Sequence, residues 1–229
     1  MSAQQGKRRC LALEEALNKV ELTQLAILGA SGHGKVVADS AIAAGWREVV
    51  FFDDRWPSLT NLGPWKVAGN TLSLLKCFGD FEGVIVAIGN CETRVEKHWM
   101  LRTAGARMVS IIHPRAWVSP HARLGAGCVV MPGAVVNIDA SIGDAGIINT
   151  GATVDHDCVL EEAVHVSPGA HLAGNVVVGR SSWIGVGAAV RQGIEIGAGV
   201  MVGAGAVVVK PIADGATVVG NPAAPFKRA

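Results

Sequence analysis

Every sixth residue from Ile112 to Val208 is Ile, Leu or Val, running through Val118, Leu124, Val130, Val136 and Ile142 and ending on Ile196, Val202 and Val208. A period of six fits neither the 3.6 repeat of an α-helix nor the alternation of an ordinary strand. It suits a chain wound into a coil with three flat faces, one inward aliphatic per face, so that eighteen residues complete a turn and successive turns stack as parallel strands. The residue four places after each aliphatic is small or aliphatic, as at Ala116, Ala122, Cys128, Ala134, Cys158 and Val164, and fills a corner of the coil. Cys128 and Cys158 therefore read as core packing. So narrow an interior has no room for bulky rings, and the sequence has no Tyr and 5% aromatic residues.

Ahead of the repeat, short apolar runs alternate with helical stretches: strands at 25–28, 49–52 and 84–88, helices at about 35–44 and 93–104. Strand, helix, strand at this spacing predicts a small parallel, Rossmann-like α/β unit. The fold class is thus α/β plus all-β, with an α/β domain over 24–111, a parallel β-helix over 112–229, and an N-terminal extension over 1–23. That extension carries Leu13, Leu17 and Val20 at helical spacing and reads as a linker, a docking helix or a mobile tail. In α/β units ligands bind at the carboxyl ends of the strands. Those ends carry Gly29 to Lys35, then Asp53 and Asp54, then Gly89 and Asn90.

A formal net charge of +1 offers no electrostatic footprint for nucleic acid. Half the residues are apolar and the mean hydropathy is +0.37, yet no run approaches the roughly 20 apolar residues of a membrane span. Acidic residues interrupt the N-terminal apolar segment, against a secretory signal, so a cytoplasmic location is expected. Five cysteines without a C-x-x-C pair support neither a disulfide framework nor a zinc ribbon. Gly29, Gly34 and Lys35 have the spacing of a phosphate loop, but Val36 follows where Ser or Thr should hold magnesium. What survives is narrower: backbone N–H groups at a helix N-terminus that can receive a phosphate or a sugar hydroxyl. The carboxylate pair Asp53 and Asp54 can hold uracil, sugar hydroxyls or an ammonium, or can form a solvated turn. His156, between inward Val154 and Cys158, is aimed outward by the pattern. His165 lies nine residues on, half a coil away, so a site shared by the two requires two chains.

Taken in order, G-A-S-G-H-G-K, D-D, A-I-G-N, I-I-H-P-R-A-x-V-S-P, N-T-x-A-x-V-x-H-D-C and G-N-P-A, spread over residues 24–226, resemble the PglD/NeuD-like sugar O/N-acyltransferases, and most of all their bacterial nucleotide-sugar 4-amino N-acetyltransferases. The resemblance implies a left-handed β-helix, contrary to the usual right-handed crossover, and a homotrimer with acetyl-CoA in the grooves between neighbouring prisms. It implies that the α/β domain binds a UDP-linked amino sugar through Ser31, Gly32, His33, Asp53, Asp54 and Gly89, and that His165, Val186 and Ala204 face the coenzyme. It makes His156 the general base and Asp157 the carboxylate that raises its proton affinity. This sequence has Asp where family members often carry Glu. Neighbours on an extended chain diverge, so contact needs a bent backbone at the corner, and Asp155 is the other carboxylate in reach. The resemblance also leaves O-acetylation of sialic acid or another sugar, and a non-catalytic sensor or scaffold, as alternatives. Zinc catalysis, as in the γ-type carbonic anhydrases that share the prism, fits less well: His165 and His171 are six apart and fall on adjacent faces, so no metal is expected.

Overall fold

A computed structural model describes residues 23–226; the amphipathic stretch expected over 1–23 lies outside them but for its last residue. The first unit is a five-stranded sheet in the order β3-β4-β2-β1-β5, with β1 Gln24–Leu28, β2 Glu48–Phe52, β3 Asn61–Leu62, β4 Trp65–Gly69 and β5 Gly83–Val86. β1, β2, β4 and β5 run parallel, and β3 turns back on β4. Helices α1 (Gly32–Ala43), α2 (Thr71–Cys77) and α3 (Cys91–Thr103) connect them. The strand runs and the two longer helices fall where the apolar pattern predicts. The β3–β4 hairpin and α2 do not follow from it, being too short to display a period.

From Ile111 the chain climbs a left-handed β-helix of two-residue strands. Three parallel sheets form its faces, and each strand pairs with the one eighteen residues later, as in Val136 with Val154, Leu160 with Val178 and Val166 with Ile184. The hexad aliphatics from Val130 to Val208 are buried and form one continuous core with the small corner residues. Ile112 departs from the pattern. It is 39% exposed while Ile111 is buried, because its strand opens its face with no coil before it and because the α/β unit covers the outer side. The period also slips at the far end, where Val202 pairs with Val218, sixteen residues on.

From Gly127 to Gly205 each corner turns at the residue three places after the inward aliphatic. That residue takes a left-handed φ, usually as glycine, but as Asp139, Ala145, Asp157, Ala163, Asn175 and Ser181 at φ between 55 and 60°. Outside glycine this conformation costs about 1–2 kcal/mol, least for Asn and Asp.

The α/β unit covers one prism face. α1 lies over Ile111, Val129 and Met131, and Ser40 Oγ approaches Met131 Sδ at 3.5 Å. α3 turns Arg94, His98 and Arg102, spaced four apart along one face, toward the next corner. The guanidinium of Arg94, 1% exposed, spends its five N–H donors on Ile88 O (2.9 Å), Gly89 O (2.8 Å), Ala145 O (2.8 Å), Ala163 O (2.7 Å) and Cys91 Sγ (3.5 Å). Two of the carbonyls belong to the α/β unit and two to left-handed corner residues of the prism. His98 is buried beside Gly127, and Arg102 pairs with Asp144.

Because Arg94→Met would strand two buried and two part-buried carbonyls at the junction, we expect it to lower unfolding stability by roughly 3 kcal/mol or more. Urea titration followed by circular dichroism measures this, and a loss below about 1 kcal/mol would show that the junction does not depend on the guanidinium.

Candidate active site

Three groups of predicted residues occupy three places. The first is a cleft of about 260 Å³ at the carboxyl ends of β1, β2 and β5, lined among others by Ser31, Asp53, Asp54, Gly89, Thr93 and Lys97. Its glycines have structural reasons. Gly29 has φ +113°, and a Cβ on it would stand 2.7 Å from Ala87 O; a Cβ on Gly34 would collide with Gly29 O. The phosphate-loop spacing thus serves the tight packing of α1 against the end of β1. Ser31 is the extended N-cap of α1, its hydroxyl making no capping bond, and Gly32 has open space around it.

The two carboxylates have different duties. Asp53 Oδ2 accepts the Ala30 N–H at 2.7 Å and its Oδ1 accepts Arg55 Nε at 2.8 Å, while Arg55 Nη2 donates to Ala30 O at 2.5 Å. Those hydrogen bonds from Arg55 first, then from the backbone, hold Asp53 down at about 2 despite partial burial. Asp53 is therefore committed within its own loop. Asp54 caps Thr71 N at 2.9 Å and meets Lys97 Nζ at 3.2 Å, with 59% of its side chain exposed to the cleft side. Nothing in the sequence pattern marks Lys97 or Thr93, which reach the cleft only because the start of α3 packs there.

Below the cleft, His33 and His165 meet at the junction of the two units, ring centroids 6.3 Å apart. His165 packs on Trp183 at 4.1 Å, its Nε2 lies 3.2 Å from Asn149 Nδ2, and a Cβ on Gly89 would touch the same Trp183 ring at 3.9 Å. His33 Nε2 and His165 Nδ1 are buried without a hydrogen-bond partner among the described residues. Burial, and after it the nearby Arg94 cation, push His33 down to about 4 and His165 to about 3, so both rings are neutral donors and acceptors. His165 is thus 4% exposed, enclosed beneath the α/β unit. Asn149 stands in the quoted N-T-x-A motif and could have been found from it; Trp183 and Arg94 carry no such signal.

The second place is the corner that holds His156, half a coil from His165. The left-handed φ of 59° at Asp157 supplies the bend the sequence requires, and His156 Nδ1 lies 2.7 Å from Asp157 Oδ2. Asp155 is engaged elsewhere: its Oδ1 accepts the His156 N–H at 2.8 Å and Asn137 Nδ2 at 2.9 Å. The hydrogen bond to Asp157 is the main reason the His156 pKa is raised. With Nδ1 so occupied, Nε2 has no partner among the described residues and belongs to an exposed ring, an arrangement suited to accepting a proton.

The third place is another corner, where Val186 and Ala204, one coil apart, are both exposed. His171 Nδ1 lies 3.0 Å from Thr153 Oγ1. Among the described residues no group of three or more His, Cys, Asp or Glu is placed to hold a metal ion, and no helix is long and apolar enough to cross a membrane.

Since the Asp157 hydrogen bond stabilises the imidazolium, Asp157→Asn is expected to bring the His156 pKa down toward the ordinary histidine value near 6.5. Titration of the His156 ring protons by NMR checks this; an unmoved midpoint would transfer the effect to Asp155.

Comparison with known proteins yields one family model and several solved structures. The model described as the PglD N-terminal domain matches residues 24–101. The acetyltransferase domain of PglB from Neisseria gonorrhoeae, solved with acetyl coenzyme A, is 46% identical with a TM-score of 0.85, covering 89% of this chain and 98% of that one. A histidine-to-asparagine mutant of perosamine N-acetyltransferase from Caulobacter crescentus, solved with CoA and GDP-perosamine, is 42% identical with a TM-score of 0.85, covering 90% and 97%. WeeI from Acinetobacter baumannii is 28% identical with a TM-score of 0.80, covering 89% and 100%.

Proposed function

The chain belongs to the PglD-like family of sugar acetyltransferases, and from that premise we propose that it moves the acetyl group of acetyl-CoA onto the 4-amino group of a UDP-linked amino-deoxyhexose. The observation that carries the reading is the His156–Asp157 pair, 2.7 Å apart, on an exposed corner with Nε2 free. The relatives solved with acetyl coenzyme A and with CoA and GDP-perosamine support the two substrate classes.

In this reading the free amine attacks the thioester carbonyl while His156 Nε2 takes its proton. A C–N bond forms and a tetrahedral oxyanion results. Its collapse breaks the C–S bond, and the imidazolium returns the proton to the departing thiolate. Asp157 stabilises the imidazolium and keeps Nδ1 protonated, so the tautomer with a basic Nε2 is the one present. Since Nε2 must be unprotonated to act, activity falls on the acid side as His156 titrates.

Residues 24–111 form the acceptor-binding unit, with Ser31, Gly32, His33, Asp54 and Gly89 toward the sugar nucleotide and Asp53 shaping their loop. Residues 112–229 form the transfer unit. Val186 and Ala204 offer a small apolar strip to the coenzyme, and His165, buried beside His33, stands where donor and acceptor regions meet. A homotrimer in the cytoplasm is part of the same proposal, because His156 and the corner of Val186 lie on different edges of one prism and a neighbouring copy can bring such edges together.

The test is CoA release, followed through its free thiol, with a panel of UDP- and GDP-linked 4-amino sugars and of hydroxyl sugars. Release with UDP-linked amino sugars is expected, and His156→Ala should lower kcat by about 10² to 10⁴. Release with hydroxyl sugars alone would favour the O-acetyltransferase, and none with any acceptor the sensor or scaffold.

Asp54→Ala is expected to raise the KM for the acceptor roughly tenfold, the worth of one charge-assisted hydrogen bond, and to leave the KM for acetyl-CoA unchanged. Equal effects on the two substrates in initial-rate measurements would move the acceptor site away from the cleft.

A further inference from the structure

Positions eighteen apart lie one above another on the prism, and the corner that holds His156 is a column of Ile138, His156 and Gly174. Gly174 is not required by its backbone, since it is absent from the left-handed residues of the chain; the left-handed place in its turn belongs to Asn175, at φ 58°. Nor does it keep the coils apart, as other glycines do. A Cβ on Gly143 or Gly179 would meet backbone atoms of the following coil. A Cβ on Gly174 would stand 2.5 Å from Cε1, 2.6 Å from Nε2 and 3.1 Å from Nδ1 of His156, its three nearest heavy atoms. Carbon atoms in contact rest about 3.5–4.0 Å apart. The imidazole therefore lies folded along the prism onto the next coil, in space that only a glycine leaves.

We propose that Gly174 is the positioning residue of this active site: its missing side chain is the seat that holds the His156 ring against the prism, with Nδ1 on Asp157 and Nε2 at a fixed height above the coil. The inference rests on the reading of His156 as general base and adds the constraint that fixes where that base acts. Three stacked coils then orient one ring. Asn137 holds Asp155, Asp155 holds the backbone N–H of His156, Asp157 holds Nδ1, and Gly174 admits the ring plane. A methyl group at Gly174 leaves the backbone as it is and evicts the imidazole, which is exposed and free to swing into solvent. The Nδ1 contact with Asp157 is lost with the move.

The experiment is Gly174→Ala in the full chain, alone and combined with His156→Ala. Thermal melting should be unchanged, and kcat should fall roughly 10²-fold, the cost of a misplacement of about 1 Å at a reacting centre. The KM for acetyl-CoA should hold, and the His156 ring should titrate at lower pH than in the parent. In the His156→Ala background the second substitution should cost nothing further, because the ring it displaces is gone. Multiplying losses would mean that Gly174 acts without His156 and would overturn the proposal, as would full activity of Gly174→Ala or a clear drop in its melting temperature. Should His156→Ala itself be fully active, the failure lies with the general base and not with the seat.

Discussion

From Gly127 to Gly205 every corner of the prism turns through a left-handed residue, and most of what the molecule does hangs on that geometry. Stacked coils satisfy their backbone hydrogen bonds only if every face keeps its two-residue strand in register with the next coil, as His165 N with Ser182 O and Ser167 N with Ile184 O, both 2.9 Å. Register leaves the turn no freedom. Where glycine is not used, three of the six residues that bear the strain are put to use: Asp157 turns its carboxylate back onto His156, and Ala145 and Ala163 turn their carbonyls toward Arg94.

Arg94 ties together two units that also share an apolar cluster, in which α1 packs on Ile111, Val129 and Met131. A guanidinium taken out of water is costly unless its hydrogen bonds are met, and here they are met by carbonyls of both units. Burial, and after it this charge, keeps His33 and His165 neutral close by. Ile88 and Gly89, whose carbonyls it holds, also line the cleft. One side chain therefore holds both the wall of the cleft and the corner of the prism.

The periodic parts of this architecture were legible in the amino-acid order, because periodicity is what burial writes into sequence. The hexad aliphatics announce three faces and aim His156 outward. The apolar strands and the helices around Val37 and Leu101 announce the α/β unit. Interactions that depend on one bend or one polar contact leave no period. An extended chain parts His156 from Asp157, and only the φ of 59° joins them. Asp53 and Asp54 look equivalent until Arg55 occupies the first. The Arg94, His98, Arg102 stripe has the composition of a solvated helix face, yet its first two members are buried. Gly174 was visible as His156 plus eighteen, but its meaning needed the ring's direction.

Strands of neighbouring coils are separated by about 4.8 Å, so height along this prism is quantised. Within the regular hexads, whatever lies at one corner can be moved relative to another only by whole coils, eighteen residues at a time, if the core and the ladder are to survive. The prism is in that sense a ruler with fixed graduations. An added coil beyond Ala204 lengthens the ruler and leaves its marks alone. The same eighteen residues inserted between Gly174 and Val186 would fold equally well and set the marks one graduation too far apart, so a change silent to stability would be decisive for reach.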